Sequence, residues 1–434
     1  MQALRRRPLA AAALVLLLAI VLWQGVRVGL AWRHWRQAQG LIAVRDFDAA
    51  QTHIAACLEF WPTSPDVRIL AARNARLRKE PNEAFHQLDE ARKIDGNAER
   101  IVLERYLLRA ERGELGQVEK KLRAFLTKGD ADAIFILDVL TYQWMMTHRF
   151  SEALLHLKEW ARLQPTQREP IVRRAWVLER LRDFPAALAD YQQALDLDPG
   201  ADERQGDRVR LQLAELLLER VRPKDAVGHF ETLLERQPKN PAVLFGLARC
   251  RLLSGQTDAG LGLLAELVAG QPKHGKALAE LGRTYLELEK LAEAEGSLRQ
   301  ALEVQPHDKQ TVFTLHQCLV KLGKRDEAKD LQVRLDRIRA DEKRMAALMD
   351  DVQRSPEDPV HRQQIGELFL RNGLTEGLRW LNSALVYDEN YAPAHEVLAE
   401  WWESRGAASK AELHRDTLAR LGVAKKANRF LEQK

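Results

Sequence analysis

The chain has 434 residues, 46% hydrophobic and 30% charged, with a formal net charge of +5 and a pI of about 9.0. That length exceeds what one growing hydrophobic core supports, so several domains or an extended array are required. The basic balance is no nucleic-acid footprint, because residues 1–64 hold seven Arg/Lys against three Asp/Glu while the remaining 60 and 59 nearly cancel.

Residues 1–30 stand apart. Arg5, Arg6 and Arg7 precede Pro8, and Pro8–Val26 is a run of 19 uncharged, mostly apolar residues that includes Leu14, Leu18 and Trp23. Roughly 20 apolar residues cross a bilayer as a helix, and Trp near a boundary suits the interface. The pattern predicts a single transmembrane anchor. A cleaved signal peptide shares the basic start and stays open as the alternative, although the run exceeds a usual signal core and no small-residue cleavage motif comes after it. A tail with three arginines is hard to translocate, which favours a non-cytoplasmic location for the rest of the chain; Arg27, Arg33 and Arg36 on the other flank weigh against it. No Gly or Pro separates Leu30 from Gln39, so the anchor helix is expected to run without a break into the residues from Ala31 onward.

Residues 275–308 give the clearest local pattern. Leu278, Leu281, Gly282 and Tyr285 form one helical stripe, and Ala294, Leu298 and Ala301 form a second before Pro306 ends it. Such an αα-hairpin cannot bury its own apolar face and needs copies on either side. Pro165, Pro199, Pro238, Pro272 and Pro306 recur at 34, 39, 34 and 34 residues, and five residues, Asp202–Gly206, account for the exception as an insert in a turn. Small residues keep the same phase at Ala175, Ala214, Ala248 and Gly282, then at Ala153, Ala187, Ala226, Ala294 and Ala328. Large residues occupy Leu157, Tyr191, Phe230, Leu264 and Leu298, four positions beyond the second set.

A helix-turn-helix period of 34 residues with these small and large positions resembles the tetratricopeptide repeat (TPR) family. The resemblance implies an all-α fold: an α-solenoid of about eleven helix-turn-helix units, preceded by one transmembrane helix. The pattern divides the chain into an anchor (1–30), nine units (31–342), a helical spacer (343–358), two further units (359–425) and a polar tail (426–434) that caps the last apolar face.

No catalytic constellation emerges. The twelve histidines are scattered, mostly on helix faces expected to be solvated, and there is no H-E-x-x-H, no phosphate-binding glycine loop and no nucleophile elbow. Cys57, Cys250 and Cys318 read as small core residues. Neither enzyme activity, cofactor nor metal is predicted. In TPR proteins the first helix of each unit generally lines a concave groove. The resemblance carries that role to Tyr142, Met145, Trp176, Arg249, Arg283 and Gln317, and also to Glu215, Leu252 and Leu286. Arg249 and Arg283, one repeat apart, suit a carboxylate. The Lys/Asn clamp of chaperone-binding TPR modules is not matched. The expected partners are a protein or peptide in the groove and a lipid bilayer at the N-terminus, with no nucleic acid. The expected role is a membrane-anchored scaffold or adaptor in a cell-envelope or secretion assembly, its array on the non-cytoplasmic side of a bacterial inner membrane. The alternative is a regulatory or targeting subunit that recruits an enzyme to the membrane.

Overall fold

The computed structural model describes residues 6–95, 99–127, 132–197, 203–424, 428 and 430; the side chains of residues 6–21 and 203–205 lie outside that description. The described residues form twenty-two α-helices and no strand. They fall into two compact units, residues 1–140 and 141–434. The first holds α1 (Arg6–Ala43), α2 (Phe47–Phe60), α3 (Pro65–Leu77), α4 (Pro81–Ile94), α5 (Glu99–Glu111), α6 (Leu115–Thr127) and most of α7 (Ala133–Met146). The second continues through α8 (Phe150–Leu163), α9 (Arg168–Arg180), α10 (Phe184–Asp196), α11 (Glu203–Glu219), α12 (Pro223–Arg236), α13 (Pro241–Leu253) and α14 (Thr257–Gly270). It ends with α15 (Gly275–Glu287), α16 (Leu291–Val304), α17 (Lys309–Lys321), α18 (Arg325–Arg354), α19 (Pro359–Arg371), α20 (Gly377–Tyr387), α21 (Ala392–Ser404) and α22 (Ala408–Arg420).

One backbone device recurs in every helix pair. The turn between first and second helix passes through a single residue of positive φ: Arg45, Lys79, Gly113, His148, Arg182, Val221, Gly255, Glu289, Gly323, Gly373 and Gly406. The next residue donates its N–H to the carbonyl five positions back, as Lys290 does to Tyr285 and Gln256 to Arg251, both at 2.9 Å. This is the Schellman closure, which satisfies carbonyls the helix end would leave unpaired. Only five of the eleven positions are glycine, and Val221 adopts φ 56° with a β-branched side chain that is 70% exposed.

The small positions are small because helices meet there. A Cβ placed on Gly282 would stand 2.5 Å from Leu298 Cγ and 3.2 Å from the Ala294 carbonyl. Ala175, Ala214, Ala248, Ala187, Ala226 and Ala294 are fully buried, as are Tyr191, Phe230 and Leu298. Leu281 and Ala301 are buried as well, Tyr285 is half-buried, and Pro306 is an exposed turn residue.

The 1–140 unit carries a buried ion network in addition to its apolar core. Glu104 on α5 accepts from Arg73 at 2.5 Å and Arg76 at 3.0 Å, and the same arginines reach Asp132 and Glu111. All three central side chains are buried. Burial alone would push the Glu104 carboxyl up, but the two guanidinium groups overcome it and hold it below the usual carboxylate range.

Several expectations change. The five-residue insert is not a turn: from Glu203 it is helical and lengthens α11 to 17 residues, while Asp202 lies outside the described residues. The helical spacer expected from residue 343 is the second half of α18, a second helix extended to 30 residues that runs unbroken to Arg354. The histidines are less solvated than their helix positions suggest; His395 is buried and bonds His414 at 2.9 Å, and His34 bonds His53 at 2.8 Å. All three cysteines are buried thiols. Beyond α22, Phe430 is buried edge-on to Trp401, so it covers the apolar face there.

The continuous helix expected at the N-terminus is α1, 38 residues long. Among the described residues no helix is long and apolar enough to cross a membrane. Pro8, Leu14 and Leu18 lie on α1 with side chains outside the described residues, whereas Trp23 and Val26 are exposed.

The strictest departure from nearest-neighbour stacking is in the 141–434 unit. The α7–α8 turn meets α19 and α20, more than 200 positions later in the chain. Arg362, buried, donates to the Thr147 carbonyl at 3.2 Å and to Ser383 Oγ at 2.7 Å, and Ser383 Oγ donates to the same carbonyl. The His148 ring lies flat on Trp380, centroids 4.0 Å apart and planes 8° apart. Within the 141–434 unit the chain therefore packs back on itself there, beyond the contacts between successive hairpins.

Candidate partner-binding face

Three successive first helices build one crevice of about 250 Å³. Phe245 and Arg249 come from α13, Lys276, Glu280 and Arg283 from α15, and Thr314 from α17. Intervals of three or four residues put each set on one helix face. Arg283 donates to Glu280 and to Glu287, and the Arg249 guanidinium stands 4.0 Å from Glu280. Burial pulls the Arg283 pKa down, but Glu280 and Glu287 carry it above its ordinary value, so it stays charged. Glu280 thus sits between two guanidinium groups that are each about one third exposed, at 33% and 32%. An incoming carboxylate would share those donors with Glu280, while Lys276 offers donors to backbone carbonyls; the Thr314 hydroxyl already donates to the Gln310 carbonyl at 2.8 Å. The crevice suits an extended peptide carrying both amide and acidic groups.

The other groove candidates do not join it. Tyr142 is 47% exposed with the Arg173 guanidinium 5.7 Å over its ring. Trp176 stands edge-on to Phe150 at 5.9 Å with Arg180 over its face, and so belongs with the His148–Trp380 contact. Gln317 is exposed on α17, outside the crevice lining. Met145 is a correction: at 7% exposure it is buried, because it faces inward on α7. Leu286, at 8%, is core for the same reason, packing against Leu298 and Leu315. Glu215 is exposed and Leu252 half-buried. Sequence reasoning missed Phe245, Lys276, Glu280 and Thr314. The spacing 276, 280, 283 on one helix was the available signal. Among the described residues no group of three or more His, Cys, Asp or Glu could hold a metal ion.

A family model described as tetratricopeptide repeat matches residues 217–281, 252–310 and 285–351. Residues 217–351 are tetratricopeptide repeats. The crevice lies within these repeats, between α13 and α17. The chain is 27% identical over 187 residues to anaphase-promoting complex subunit 7 of Dictyostelium discoideum, a match covering 43% of this chain. It spans only 29% of that protein's length. Among solved structures it is similar to PilW, a widely conserved type IV pilus biogenesis factor (18% identity, TM-score 0.42, 48% of this chain and 93% of that one). It is also similar to YrrB, a TPR protein with an unusual peptide-binding site (18% identity, TM-score 0.37, 44% of this chain and 96% of that one).

Proposed function

We propose that this chain is a membrane-anchored TPR scaffold that holds an extended segment of a protein partner along the first-helix face of its 141–434 unit. The observation that carries the reading is the crevice in which α13, α15 and α17 converge Arg249, Lys276, Arg283 and Thr314 around Glu280. Side chains from three consecutive repeats at one crevice match the length of an extended peptide rather than a small molecule. Arginine and aromatic side chains of this kind anchor protein interfaces.

Anchoring rests on the sequence: three arginines, then the Pro8–Val26 run, continuous by helix α1 with the first hairpin. The basic start favours an array outside the cytoplasm, as in a cell-envelope or secretion assembly. The test is crosslinking and capture in cells with the tagged full chain beside a variant carrying Arg249→Ala, Lys276→Ala and Arg283→Ala. Loss of one partner from the variant supports the crevice; identical captures refute it. Carbonate extraction of the full chain, and of a chain lacking residues 1–30, tests the anchor. Release of the full chain from the membrane fraction would refute anchoring.

A further inference from the structure

Helix α18 is 30 residues long where the other second helices of the array have 11 to 14, and that excess creates a surface the repeat pattern does not. At about 1.5 Å per residue it spans about 45 Å. Its first half packs Ala328 and Leu331 against α17, and its second half packs Leu348 and Val352 against Ile365 and Trp380. Between these two attachments α17 and α19 are held apart. One face of α18 then looks into two adjoining cavities of about 860 and 680 Å³, which share His307, Ile338, Asp341, Leu368 and Asn372.

The two cavities differ in chemistry. The larger is mainly apolar, lined by Ile338, Met345, Leu368, Phe369, Val304 and Leu374 beside the Lys309–Glu342 ion pair. Val304 and Leu374 are 38% and 50% exposed, and Val333 at the mouth of the smaller cavity is 59% exposed. The smaller cavity presents four arginines, Arg334, Arg337, Arg344 and Arg371, against Asp330 and Asp341. Arg371 bonds Glu367 and Asp341 accepts from Asn372, whereas Arg334, Arg337 and Arg344 make no ion pair among the described residues. Their spacing along α18 places all three on the same face as Ile338. Burial lowers the Arg334 pKa with no carboxylate to offset it. Three guanidinium groups facing two carboxylates, beside exposed apolar side chains, suit a ligand that supplies a carboxylate and a hydrophobic anchor together.

We infer that this groove is a second docking site, and that its occupant is a segment of a partner protein in which large apolar residues adjoin Asp or Glu. The apolar side chains enter the Ile338–Phe369 cavity and the acidic ones meet Arg334, Arg337 and Arg344. The inference rests on the reading of the chain as a protein-binding scaffold but uses a groove that adjoins the Arg249–Arg283 crevice, sharing Lys276, Gln305 and Asp308 with it and none of its arginines.

The experiment is selection of a random dodecapeptide library displayed on phage against the full chain in detergent micelles. Selected peptides are then titrated against three variants. The first is Arg334→Glu with Arg337→Glu and Arg344→Glu; the second is Leu374→Glu, which sits in an exposed turn and leaves the helices intact; the third is Arg249→Ala with Arg283→Ala. Enrichment of acidic residues next to Leu or Phe, with at least tenfold weaker binding to both of the first two variants and unchanged binding to the third, supports the inference. Peptides that weaken only in the third variant overturn it and leave the crevice reading standing. A library yielding no enriched peptide overturns both. Two further controls also decide against it: a dimer of the chain abolished by the first variant would make a second copy the occupant, and binding to phosphatidylglycerol vesicles lost in that variant while peptides still bind would make the groove a lipid contact.

Discussion

Lowering the pH from 7.5 to 5 should weaken the contact between the α7–α8 turn and α20, because it is built on a histidine that must stay neutral. His148 lies flat against Trp380 with its Nε2 buried and unpartnered. Burial, with Arg362, Arg379 and Arg180 nearby, lowers its pKa from 6.5 to about 3. The closed state binds no proton where the opened one does, so stability is complete above 6.5, falls as the pH drops below it, and stops falling near 3. At pH 5 the opened state has gained one proton across about 1.5 units, worth about 2 kcal/mol, or about 30-fold in the open population. At that pH the size of the effect depends only on the ordinary value, so the depth of the shift hardly enters. Hydrogen exchange of residues 144–150 and 377–387, corrected for intrinsic rates, reads the change directly. His148→Phe keeps a ring on Trp380 and removes the proton; its baseline offset is the same at both pH values and cancels. The wild-type chain should lose about 30-fold protection and the variant little. Equal pH responses in the two chains would refute the reasoning.

Three other perturbations have definite outcomes. Glu104→Ala leaves Arg73 and Arg76 buried without their shared carboxylate and should cost about 3–5 kcal/mol, read in urea melts and in exchange across residues 99–111; a loss under about 1 kcal/mol would mean water replaces the carboxylate. Gly282→Leu drives a side chain into Leu298 and the Ala294 carbonyl and should destabilise by about 1–3 kcal/mol in thermal melts. Val221→Gly relieves a β-branched residue at φ 56° with no packing to lose, and should stabilise the α11–α12 hairpin by about 0.5–1 kcal/mol after the entropy of glycine is counted; no gain in protection of that turn would show the strain is absent.

Much of the hairpin pattern was legible because it rests on steric limits. Ala294 and Gly282 must be small where helices touch, and Leu298 must be large to fill the gap, so 34-residue spacing of such residues carries the period. The turns were half legible: Gly255 and Gly323 announce a left-handed residue, but Arg182, Val221 and Glu289 do the same work with no glycine to mark it. The candidate face was harder. Met145 and Leu286 share the spacing of groove residues, and only the packing around them decides that they are core. Arg249 and Arg283 were visible, but Glu280, which occupies both, changes what they can bind. The Thr147–Arg362–Ser383 contact joins residues more than 200 apart, and no local pattern records such a meeting.

The unbroken helix from Arg6 to Ala43 has a rotational consequence. A continuous helix transmits heading as well as position, since each residue turns the chain by about 100° and advances it by about 1.5 Å. Ala31 and Ala38, on the face that packs the first hairpin, are therefore in fixed angular register with the apolar run upstream. Inserting one alanine near Gly29 would keep the packing from Ala31 onward, losing the Arg27–Phe60 contact, yet swing the hairpin a quarter-turn or more about the helix axis. Inserting a full turn of residues would nearly restore its heading while moving it outward. The N-terminal segment thus works as an indexed shaft, and residue count along it sets the direction in which the first hairpin faces.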